Sequence, residues 1–68
     1  MTKSEYNQLQ DTIWGLIEQE KRYCADYVAK NPDDQKQREF IKNMVISGMD
    51  IVLSTLKEQV KTGKIIVE

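Results

Sequence analysis

The sequence predicts an all-α fold: an antiparallel helical hairpin that dimerises into a four-helix bundle and carries a short C-terminal extended tail. Three observations predict it. Apolar residues recur at helical spacing along two stretches of the chain, and Asn31-Pro32-Asp33-Asp34 interrupts them with a helix-start signal. The second stretch is also apolar over a wider arc than one neighbouring helix can cover.

The first helix is expected at about residues 3–30. Thr2 followed three residues later by Glu5 fits a capping box, in which each residue's side chain satisfies the other's free backbone N–H. Tyr6, Leu9, Ile13, Leu16, Tyr23 and Tyr27 then take the a and d positions of a heptad, with Glu20 in the gap. Ile17, Cys24 and Val28 widen this stripe to an arc of roughly 140°. The opposite face, with Asp11, Glu18, Arg22 and Asp26, should be solvated. The helix should end at Ala29 or Lys30, because Asn31 precedes a proline and is pushed out of helical geometry.

The second helix is expected at about residues 32–62. Asn31 is expected to cap it through its side-chain oxygen, and Pro32 suits a first helical position where its missing N–H would have had no partner. Asp33 and Asp34 place negative charge at the positive end of the helix dipole. From Phe40 onward the apolar residues spread over about 240°. They divide into two seams. Ile46, Met49, Leu53, Leu56 and Val60 form an unbroken a/d run, expected to be the oligomer interface. Ile41, Val45, Gly48 and Val52 form the other, flanked by Met44 and Ile51. Gly48 costs about 1 kcal/mol of helix propensity relative to alanine, which suggests a close helix crossing. Gly63 suits a left-handed C-cap, with Lys57 and Lys61 near the negative helix end. Lys64-Ile65-Ile66-Val67-Glu68 is a β-prone tail that packs back, pairs with a copy of itself, or frays.

Composition bounds the function. Sixty-eight residues make one domain, 1–68, and a chain this short usually needs a staple. A lone cysteine excludes an internal disulfide, and the lack of histidine argues against a Cys/His zinc site or a di-metal carboxylate centre. Self-association or unusually good helix packing is what remains. Ten basic and eleven acidic residues are interspersed, with no concentrated basic stripe for nucleic acid. The longest nearly apolar run, Met44 to Leu53, is about half of what a membrane span needs. The polar N-terminal residues and the single cysteine suit a cytoplasmic protein.

Candidate sites are few. Glu20 lies within an apolar stripe, where an unpaired carboxylate is costly. It is expected to bridge to Lys42 across the hairpin, or to a cation of a second chain. Cys24 is expected as a small buried apolar side chain and Tyr23 as core. Trp14, Glu20 and Phe40 are candidate partner contacts. No Gly-rich phosphate loop, Ser/His/Asp set or metal-ligand cluster can be assembled, so no catalytic residue, metal or cofactor is assigned. The expected function is a non-enzymatic interaction module, an adaptor, inhibitor or regulator acting as a homo-oligomer. One alternative is a nucleic-acid-associated regulator touching phosphate through Lys36, Arg38 and Lys42. The other is an enzyme with a composite site around Glu20 and Tyr23.

Overall fold

The computed structural model describes residues 1–68. Helix α1 runs Lys3–Lys30, a single 3-10 turn spans Pro32–Asp34, and helix α2 runs Gln35–Lys61. The two helices lie against each other as a hairpin, a thin slab with extents of 49 × 19 × 8 Å. Neither helix is long and apolar enough to cross a membrane.

The expected capping box starts α1. The Thr2 hydroxyl accepts from the Glu5 N–H at 3.1 Å, and the Glu5 carboxylate accepts from the Thr2 N–H at 3.0 Å. The reversal departs from expectation. Asn31 does not cap the second helix, whose first turn is 3-10 rather than α. Its backbone N–H and its Nδ2 instead both donate to the Tyr27 carbonyl, at 2.8 and 3.0 Å. The side chain thus satisfies an orphan acceptor at the end of α1 rather than an orphan donor at the start of α2. The Asp34 carboxylate is also committed backwards, accepting from the Tyr27 hydroxyl at 3.0 Å. At the far end, Gly63 takes φ +81°, the left-handed C′ conformation that its missing Cβ permits.

The tail turns back over the open end of the hairpin. The Ile65 N–H donates to the Gln59 carbonyl at 3.0 Å. The Met1 nitrogen donates to Ile66 O, the Glu68 N–H to Met1 O, and the Lys3 N–H to Glu68 O.

The core is thin. Ile13, Ile17, Cys24 and Leu53 are its four buried residues, with Ile46 and Met49 packed against Ile13, Ile17 and Leu53. This corrects two expectations. The seam Ile46, Met49, Leu53, Leu56 and Val60 is the one turned toward α1; Leu53 is 4% exposed, and the other four are half-buried. It is the covered seam of α2; of the other seam, Ile41, Gly48 and Val52 are exposed and Val45 is half-buried. On α1 the covered stripe is Ile13, Ile17, Glu20, Cys24 and Val28, whereas Leu9, Leu16, Tyr23 and Tyr27 are exposed. One helix can cover only one stripe of its neighbour, and that stripe centres on Ile17.

A candidate interaction face

Glu20 and Arg38 form the ion pair that crosses the hairpin. Glu20 Oε1 and Arg38 Nη1 are 2.6 Å apart, on side chains 15% and 17% exposed. Both atoms are shut off from solvent, and neither has another partner. The short contact with the Glu20 carboxylate holds the Arg38 guanidinium above its ordinary pKa. Glu20 is therefore paired, as a carboxylate on a packed stripe must be, but by Arg38 rather than Lys42. Arg38 stands one helical turn nearer the reversal on the same face as Lys42, and i, i+4 spacing was the sequence signal for it. The Tyr27 hydroxyl continues this polar end of the hairpin. Its hydrogen bond to Asp34, with the Asp34 charge behind it, raises the phenol pKa.

These contacts leave little for chemistry. Glu20 is engaged by Arg38, and the Tyr23 hydroxyl by the Gln19 amide at 2.6 Å. No three Asp, Glu or Cys side chains group closely enough to hold a metal ion. Cys24 is buried. Of the three basic residues considered for phosphate contact, Arg38 is committed to Glu20 and Lys42 is half-buried; Lys36 alone is exposed.

The unsatisfied feature is apolar. On α1, Leu9, Leu16 and Tyr23 repeat every seven residues, and Tyr27 follows one turn on. On α2, Ile41, Val45 and Val52 share a stripe. In an antiparallel pair, like flanks of the two helices lie on the same side, so both stripes belong to one broad face of the slab. Tyr27 and Ile41 line a common groove with Arg38, which fixes the two stripes to that side. Leu9, Leu16, Tyr23, Tyr27, Ile41 and Val52 are each between 38% and 55% exposed. The opposite broad face carries Lys21, Asp50 and Lys57 at its helical positions, with Trp14 (49% exposed) as its one large aromatic. Trp14 and Phe40 are thus both exposed, but not on one surface. Sequence reading missed Leu9, Leu16 and Tyr23 as surface because they were merged with Ile13 into one heptad stripe. Their separate seven-residue repeat was the available signal.

Comparison of the chain with protein families, with curated proteins and with solved structures finds no match.

Proposed function

We propose that the chain is a non-enzymatic protein–protein interaction module of the cytoplasm whose working form is a homo-oligomer, two hairpins joined through their broad apolar faces as a four-helix bundle. The observation that carries this reading is the continuous exposed stripe of Leu9, Leu16, Tyr23 and Tyr27 beside Ile41 and Val52. Monomeric proteins seldom leave such a patch open. A slab measuring 49 Å by 19 Å also offers a face comparable with the roughly 800 Å² per partner of a stable interface.

A second copy is the occupant that the charge pattern favours. The outer face of α1 carries Asp11, Glu18, Arg22 and Asp26, whereas the apolar face has charge only at its reversal end, where Asp34 and Arg38 are already engaged by Tyr27 and Glu20 within the hairpin, so two copies can meet over Leu9, Leu16, Tyr23 and Val52 without opposing like charges. Polar handles on Tyr23 and Tyr27 suit the rim of such a contact. The involvement of Arg38 with Glu20 weighs against a phosphate-binding role, and nothing in the arrangement calls for a catalyst.

Light scattering at micromolar concentration tests the reading. Wild-type protein should have a mass at least twice the 8.0 kDa chain. Leu16→Glu, which buries a charge in the proposed interface but is exposed in the hairpin, should reduce that mass.

A further inference from the structure

The broad apolar face is built from two unequal rows. The row on α1 is large: Leu9, Leu16, Tyr23 and Tyr27, all exposed. The row on α2 beyond Ile41 is small: Val45, Gly48, Val52 and Thr55, at three- and four-residue spacing. The α2 side also holds the hollows of this face. One, of about 250 Å³, is lined by Tyr27, Arg38 and Ile41. The other, of about 300 Å³, lies among Val52, Leu56, Gln59 and Ile65 of the tail.

Two hairpins stacked face to face about a two-fold axis can keep their helices aligned in two ways. An axis parallel to the helices puts α1 of each copy over α2 of the other and brings both reversals to one end of the bundle. An axis across the helices puts α1 over α1 and α2 over α2, with the reversals at opposite ends. We infer that the copies mate in the first way, the large row of each α1 seated on the small row of the partner's α2. The inference rests on the dimeric reading above and specifies how its two faces fit.

Heights along the helices favour the first way at each position. Tyr27 is level with Ile41, with which it shares a groove, and Ile17 shares the core cluster with Leu53. In an antiparallel pair, a step toward the N-terminus on α1 matches a step toward the C-terminus on α2. Tyr23 is therefore level with Val45, Leu16 with Val52 and Leu9 with Gln59. A parallel axis preserves height. It sets the partner's Tyr23 over Val45 and Gly48, and the partner's Leu16 over Val52. The partner's Tyr27 then comes over the hollow at Ile41, and the partner's Leu9 and Leu16 over the hollow beside Val52. Large groups meet small ones and each hollow gains an occupant, as ridges packed into grooves require. The crossed axis instead reverses height about the middle of α1, near Leu16. Leu16 then meets the partner's Leu16, and Leu9 meets the partner's Tyr23, while Val45, Gly48 and Val52 meet their own small row. The large rows would hold the slabs apart, both hollows would stay empty, and their lining would lose its contacts.

Distances between nitroxide labels, measured by pulsed electron resonance, separate the two arrangements. One label goes on Asp33→Cys at the reversal and, in a second protein, on Ser4→Cys at the open end; both positions are exposed. Cys24 is buried, and wild type serves as the control for its labelling. Sedimentation equilibrium gives the mass of each labelled protein. The α1-over-α2 arrangement predicts two chains with label separations within about 30 Å at both sites, since packed helices lie about 8–10 Å apart. The crossed arrangement predicts about 40 Å or more at both sites, the length of a helix of 28 residues at 1.5 Å each. A long separation at either site in a two-chain species would overturn the inference while the broad-face dimer stands. A folded monomer of 8.0 kDa with no intermolecular separation, its face left for a different protein, would sink both readings.

Discussion

Glu20 is where the hairpin's packing and its electrostatics meet. Its Oε1 is shut away from solvent against Arg38 Nη1, so losing either partner would leave a partly buried charge unpaired. Arg38→Met should lower the melting temperature more than the double variant Glu20→Leu with Arg38→Met, which removes both charges and adds apolar contact. Thermal melts of the three proteins check this, and a double variant as unstable as the single would contradict it. Glu5 gives the pH dependence. The hydrogen bond from the Thr2 backbone N–H, followed by that with the Thr2 hydroxyl, holds its carboxyl below the ordinary value of 4.5. A carboxyl lowered on folding contributes stability that is present above its unfolded pKa and lost as pH falls through the folded one. Wild type should therefore lose stability below about pH 4.5 by slightly more than Glu5→Gln does, as read from urea midpoints along a pH series. Tyr27 acts at the alkaline end. Its pKa is raised by Asp34, so its contribution is full below the unfolded value near 10 and is lost as pH climbs through the folded one.

At the scale of the elements, local signals were legible and partner choice was not. Thr2 and Glu5, the end of α1 at Lys30, the left-handed Gly63 and the position of the reversal all depend on residues within a few positions of one another, so the sequence states them directly. Thr2→Ala should cost about 1 kcal/mol through loss of the cap. Gly63→Ala should cost about 1–2 kcal/mol, because a Cβ is strained at φ +81°. Urea titration measures both. Asn31 is ambiguous in sequence because its amide can serve the helix before it as well as the helix after it, and the backbone at φ −136°, ψ 66° decides for the Tyr27 carbonyl. The two seams of α2 could be separated by spacing alone. Which of them meets α1 depends on where the α1 stripe centres, and Ile17 with Cys24 outweighs the heptad of Leu9, Leu16 and Tyr23. Leu53→Ala should cost about 2–5 kcal/mol, since Leu53 fills the centre of the hairpin core. The same change at exposed Ile51 should leave the fold of the hairpin intact.

The whole molecule is a slab one hairpin thick, with four buried residues among 68 and a broad apolar face left open. A core this thin gives a chain little stability to spare, and the proposed association with a second copy would supply the missing layer. Folding and association should then be coupled, so the melting temperature should rise with protein concentration, as melts over a hundredfold dilution series would register. A melting temperature independent of concentration would separate the two processes. The most direct test of the central claim is the mass in solution of wild type and Leu16→Glu across the micromolar range. The account predicts a folded wild-type species of at least two chains and a lower mass for Leu16→Glu. A folded wild-type species of 8.0 kDa that Leu16→Glu leaves unchanged would contradict it.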